Sequence, residues 1–201
     1  MLIVGITDIH NTRTYIGRLQ QFIKSNNVEL ILCAGDISLP AIVDELLSSG
    51  INIYAVSGNM DDFELESALA EKDISLGGKM KIINNVCFLG ISGNHITKHI
   101  SELRKLKNQI EKNKLKILVT HYPPLKTKID RAFIGMHIGS KEVYEYILES
   151  QPWLSFSGHV HESPGVAQLG NTIIANPGPF KSGKFLLIDT ENKKVEVKQF
   201  D

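Results

Sequence analysis

Seven side chains that can hold a divalent cation or move a proton stand directly behind short apolar runs. They are Asp8 and His10 in Asp8-Ile9-His10, Asp36 after Gly35, Asn59 after Gly58, His121, and His159 and His161 in Gly158-His159-Val160-His161. Singly, such fragments say little, because Gly-Asp and Gly-Asn also serve as ordinary turns and helix caps. His159 and His161 say more, since two imidazoles at spacing two on an extended segment point to one side. The set carries the argument: all the fragments close apolar runs, in a chain with only seven histidines. Carboxylate, amide and imidazole donors without thiolates suit Mn, Fe, Co, Ni or Zn. Two such ions about 3.5 to 4 Å apart, sharing one carboxylate, can clamp a phosphoryl group and acidify a water into a nucleophile. The chemistry expected is hydrolysis of a small phosphate ester, with two divalent transition-metal ions as cofactors.

The elements that must position these groups are legible in the hydrophobic pattern. Residues 2–7, 30–34, 51–56, 86–91 and 116–120 have the length and branched content of buried strands. Between them, 14–25, 41–48, 97–112 and 140–149 repeat apolar residues at helical spacing. After Gln151 the helical period stops, and 153–157, 165–169, 172–175, 184–188 and 193–198 are read as strands. A β-α alternation followed by a strand-rich third fits two sheets packed face to face with helices outside, an α/β fold in a single domain over 1–201. In open α/β sheets the carboxyl ends of the strands share one edge, which is where the seven groups fall.

Composition narrows the class. The chain has 201 residues, 42% hydrophobic and 22% charged, with 22 basic against 22 acidic residues. A net charge of zero argues against a long nucleic-acid track held by phosphate neutralisation. The basic run through Arg104, Lys105, Lys107, Lys112, Lys114 and Lys116 is interleaved by Glu102 and Glu111 and reads as a solvated helix face. Cys33 and Cys87 lie in apolar runs and read as buried thiols in a reducing, cytoplasmic compartment. The N-terminus lacks the basic region of a signal peptide, and no stretch approaches the roughly 20 apolar residues of a membrane span, so no membrane partner is expected.

As a set, Asp-x-His, Gly-Asp, Gly-Asn, a lone His and Gly-His-x-His resemble the pattern of the calcineurin-like metallophosphoesterases over residues 8–161. Gly158-His159-Val160-His161-Glu162-Ser163 followed by Asn176-Pro177-Gly178 resembles the small phosphoesterases termed Icc-related. The resemblance implies a four-layer α/β/β/α sandwich with two mixed β-sheets. It also implies that Asp8, His10, Asp36 and His161 hold one metal and Asp36, Asn59, His121 and His159 the other, with attack on phosphorus by a metal-bound hydroxide. Some relatives, a subunit of the retromer coat among them, use this fold as a protein-interaction scaffold, which is the alternative reading. One position departs: where the family has His after Gly-Asn, this chain has Met60, then Asp61. A thioether cannot protonate a leaving group, so phosphodiesters and activated esters are expected as substrates rather than simple monoesters. Of the remaining histidines, His137 in the link 123–139 is the candidate proton donor. Asn59 and His95 are candidates for substrate contact, and His99 is expected to be exposed on its helix.

Overall fold

The central strands bury both faces because successive side chains point to opposite sides and nearly all of them are apolar. In β1 (Leu2–Ile6), Val4 and Ile6 face one core and Ile3 another; in β2 (Leu30–Ala34), Ile31 and Cys33 oppose Leu30, Leu32 and Ala34. A computed structural model describes residues 1–112 and 115–200. One five-stranded sheet runs β11 (Lys194–Gln199), β10 (Lys184–Asp189), β1, β2, β3 (Asn52–Val56), with β1, β2 and β3 parallel and β10 antiparallel to its neighbours. A six-stranded sheet runs β4 (Met80–Ile83), β5 (Val86–Ile91), β6 (Leu115–Thr120), β7 (Leu154–Phe156), β9 (Thr172–Asn176), β8 (Gly165–Leu169). Its central strands are parallel and both edges antiparallel, so both sheets are mixed.

Three cores hold four layers together. Helices α1 (Ile16–Asn26), α2 (Pro40–Leu47) and α3 (Phe63–Glu71) set Ile16, Leu19, Val43 and Leu65 against the outer face of the five-stranded sheet. Helices α4 (Ile96–Lys105), α5 (Lys107–Ile110) and α6 (Lys141–Ser150) cover the other sheet through Ile100, Leu103, Ile110, Val143 and Ile147. Between the sheets lie Ile3, Leu32, Phe88, Val119 and Phe156. Gly5 permits the close approach there, since a Cβ on it would lie 3.1 Å from the Phe156 ring. The α/β/β/α sandwich expected from the sequence is the observed fold.

Several local expectations are corrected. The helix expected over 97–112 breaks at Leu106, whose backbone (φ −91°, ψ 4°) leaves the α region between α4 and α5. The elements α3 and β4 carry weak patterns: Phe63 is exposed, and β4 is a four-residue edge strand. In the basic run, Arg104 is paired to Glu149 at 2.7 Å and Lys107 lies 3.7 Å from Glu111, in keeping with an outer face; Lys114 lies outside the described residues. His99 is buried, not exposed, because its Nδ1 accepts the Ser92 N–H at 3.0 Å beneath the turn that precedes α4. Both cysteines are free and buried. Among the described residues no helix is long and apolar enough to cross a membrane.

Candidate metal centre

The carboxyl ends of β1, β2 and β3 from one sheet and of β5, β6 and β7 from the other meet at one rim, and their loops are stitched directly to each other. Asp8 N–H donates to Gly35 O at 3.0 Å, His10 N–H to Asp36 O at 3.0 Å, Gly93 N–H to Ser57 O at 2.8 Å and Gly158 N–H to His121 O at 3.0 Å. The three motif glycines that precede ligands are required by contact: a Cβ on Gly35 would lie 2.6 Å from the Gly58 nitrogen, one on Gly58 would run into Asp36 Oδ1, and one on Gly158 into Thr7 Oγ1. Asp8 (φ 53°), His10 (φ 48°), Asp36 (φ 53°) and His159 (φ 67°) all adopt the left-handed conformation. Each costs about 1–2 kcal/mol for a residue with a side chain, and such strain collects where surrounding contacts hold a functional geometry.

The donor atoms converge in two overlapping groups, Asp8 with His10 and His161, and Asp8 with Asp36 and His121; within each group the ligand atoms lie within 4.8 Å of one another. Asp36 reaches toward both sides, with Oδ1 3.6 Å from His121 Nε2 and Oδ2 3.9 Å from His10 Nε2. His121 Nδ1 lies 2.8 Å from the Ala34 carbonyl, which can only accept, so Nδ1 carries the proton. With the proton at Nδ1, an uncharged ring would present its lone pair at Nε2, 2.8 Å from Asn59 Oδ1. Two acceptors so close repel unless a cation lies between them. Asp8 Oδ2 is satisfied by Thr7 Oγ1 and His159 N–H, each at 3.0 Å, but its buried Oδ1 has no hydrogen-bond partner among the described residues. It lies 3.2 Å from His161 Nε2, which is itself 3.3 Å from His10 Nε2. Three lone-pair donors aimed at one point, with an orphaned carboxylate oxygen among them, is a donor set that fits a divalent cation.

Burial disfavours the charged form of two of the imidazoles. It holds His159 down to about 4 and outweighs the nearby carboxylates to hold His10 below its ordinary value. Burial pushes Asp8 upward, yet the imidazoles of His161 and His121 and the Thr7 hydroxyl win and hold it below the usual carboxylate range. The ring of His159 packs against those of His121 and Tyr122, with centroids 5.1 and 4.2 Å away.

The profile of the calcineurin-like phosphoesterase superfamily domain matches residues 1–193. The chain belongs to this superfamily. It is 30% identical over 221 aligned positions to the uncharacterized protein MJ1162 of Methanocaldococcus jannaschii, covering all of this chain and 97% of that protein. Its fold is similar to that of TT1561 of Thermus thermophilus (TM-score 0.78, 15% identity, 98% of each chain). It is also similar to that of a protein described as a novel archaeal phosphodiesterase (TM-score 0.66, 19% identity, all of each chain). The superfamily is metal-dependent, in agreement with the candidate ligand groups above.

Against the family pattern, Met60 puts only its backbone to use: its N–H donates to Asp36 Oδ1 at 2.9 Å, while the thioether side chain is exposed. Asp61, which sequence reasoning passed over, accepts Ser38 N–H and Gly58 N–H at 2.8 Å each and so joins the loops after β2 and β3. Its place three residues after Gly58 was the available signal. Asn176, from the motif Asn176-Pro177-Gly178, accepts Gly178 N–H and donates to Val160 O, which locks the segment between His159 and His161. His95 pairs with Glu66 at 3.1 Å, and Glu66 also accepts from Ser57 Oγ at 2.7 Å, so His95 sits behind the loop that carries Asn59. His137 lies in a link held in place by one buried carboxylate. The buried Asp130 carboxylate accepts Lys126 N–H, Thr127 N–H and His137 Nδ1–H, the last at 2.6 Å, and pins the link to itself.

Proposed function

We propose that the protein is a dinuclear metal-dependent phosphoesterase acting on phosphodiesters and activated phosphate esters in the cytoplasm. Asp8, His10, Asp36 and His161 would hold one ion and Asp36, Asn59, His121 and His159 the other, with Asp36 shared. The observation that carries this reading is the pair of unsatisfied acceptor arrangements, Asp8 Oδ1 without a partner and His121 Nε2 facing Asn59 Oδ1. Both are relieved by divalent cations of the borderline class, Mn, Fe, Co, Ni or Zn.

Two ions bound in such a site supply a nucleophile at neutral pH and neutralise charge on the phosphoryl oxygens. The chain's own part is to fix the ligands. Ala34 O sets the tautomer of His121, Met60 N–H orients Asp36, and His159 N–H with Thr7 Oγ1 orients Asp8. Met60 offers no proton to a departing oxygen, and His137, with Nδ1 held by Asp130 and Nε2 left over, is the remaining candidate donor. Without the histidine that the family carries after Gly-Asn, the departing oxygen carries more charge, which favours esters of acidic alcohols and phenols. Two free, buried thiols agree with a reducing compartment.

Rates for a series of phosphodiesters of graded leaving-group pKa, after reconstitution with Mn(II), test this. The expected outcome is a steep fall as the leaving group becomes more basic, nitrophenyl diesters reacting fastest. Equal rates across the series would contradict charge building up on the leaving group, and no hydrolysis of any member would favour the scaffold reading.

A further inference from the structure

The segment joining β6 to α6 ends in a small hairpin that stands outside all three cores. Ala132 N–H donates to Met136 O at 2.8 Å and Arg131 bridges His137 in antiparallel fashion, leaving 133–136 as the tip. Phe133 is 77% exposed, Ile134 94% and Met136 57%. Single exposed apolar residues are ordinary; three within four positions of one tip form a patch. Ile134 has φ 62°, a conformation that disfavours a β-branched side chain, and the side chain held there meets solvent. Neither core packing nor backbone preference accounts for it.

Basic residues flank this tip. Lys126, Lys128 and Arg131 are exposed and line the wall of an open cavity of about 500 Å³ floored by Val166 and Leu169. Among the described residues none of the three has a carboxylate partner in an ion pair. The acid between them, Asp130, is fully buried and spent on backbone N–H groups and His137.

We propose that this hairpin docks on an anionic lipid surface, with Phe133, Ile134 and Met136 entering the acyl boundary and Lys126, Lys128 and Arg131 meeting headgroup phosphates. A four-residue tip is far smaller than the roughly 800 Å² per partner of a stable protein interface. A bilayer accepts such a tip, and its negative surface complements the unpaired cations. Ser163, two residues after His161, donates to Arg131 O, so the docking hairpin is tied to the loop that carries the candidate ligands. This contact lies on a membrane and does not span it, and it is independent of the phosphoesterase reading.

Co-sedimentation of the full chain with vesicles of phosphatidylcholine, alone or mixed with phosphatidylglycerol, tests it. Binding is expected to the anionic vesicles only and to weaken with added salt. Lys126→Gln, Lys128→Gln and Arg131→Gln should each weaken it about fivefold. Phe133→Ser combined with Ile134→Gly should abolish it without lowering the melting temperature, because glycine relieves the left-handed strain. The proposal is overturned if neither vesicle is bound, if neutral vesicles are bound equally well, or if the tip variant still sediments. It is equally overturned if tip substitutions change only the oligomeric mass, which would assign the tip to a second copy of the chain.

Discussion

At the residue scale the site depends on groups that hold ligands as much as on the ligands. Asp61 is the clearest case, a buried carboxylate held above its ordinary value by burial even though it accepts two backbone N–H groups. Asp61→Asn places an amide donor against one of those donors, so the loops after β2 and β3 should loosen. We expect a loss of about 10- to 100-fold in Mn(II) affinity, the usual scale for ligand-supporting groups, measurable by titration calorimetry; unchanged affinity would show that the ligands hold themselves. Met60 makes the converse case. Met60→His returns a proton donor to the position where the family carries one, and the Met60 backbone N–H on Asp36 is unaffected by the change. Hydrolysis of alkyl esters should rise, up to the 10²- to 10⁴-fold typical of general acids, while nitrophenyl esters change little. Equal change in both would mean that the histidine repositions substrate instead.

At the scale of elements, each loop is as rigid as the strand and glycine that launch it. Gly58→Ala forces a methyl against Asp36 and should cost both stability and metal content, whereas Gly170→Ala, on an open turn with nothing near its Cβ, should leave metal content unchanged. His99 binds the turn before α4 to the six-stranded sheet and carries a pH dependence. Burial lowers it from 6.5 to about 4, so between those values the unfolded chain holds the extra proton and the folded one does not. Stability should therefore decline as pH falls from about 6.5 toward about 4. His99→Gln should flatten that decline in denaturant midpoints, and an unchanged slope would place the titrating group elsewhere.

These elements also show what the sequence could reveal. Strands such as β1, β2 and β6 were legible because branched apolar runs end in polar motifs at one edge. The burial of His99 was not, since its spacing beside Ile100 fits an outer face and only the Ser92 N–H, from a different turn, explains its position. The Asp130–His137 pair was hidden for a similar reason: a carboxylate that collects the N–H groups of its own loop leaves no periodic trace. Asp8 and Asp36 stood out by motif, but their left-handed backbone, which aims them, is visible only in three dimensions.

For the whole molecule, two sheets that pack tightly are what bring β1–β3 and β5–β7 to one rim. Phe156, fully buried against Gly5, sits at that junction. Phe156→Ala should cost about 3–5 kcal/mol of stability, read by chemical denaturation, and should loosen metal binding because His159 follows on the same strand end. The account rests most heavily on Asp36 being shared by two ions. Elemental analysis of the reconstituted protein, compared with Asp36→Asn, His10→Ala and His121→Ala, tests it most directly. Close to two transition-metal ions per chain are expected, falling to about one in either histidine variant and toward none in Asp36→Asn. A single ion per chain in the native protein, or an Asp36→Asn variant that retains a full complement, would contradict the shared-carboxylate site.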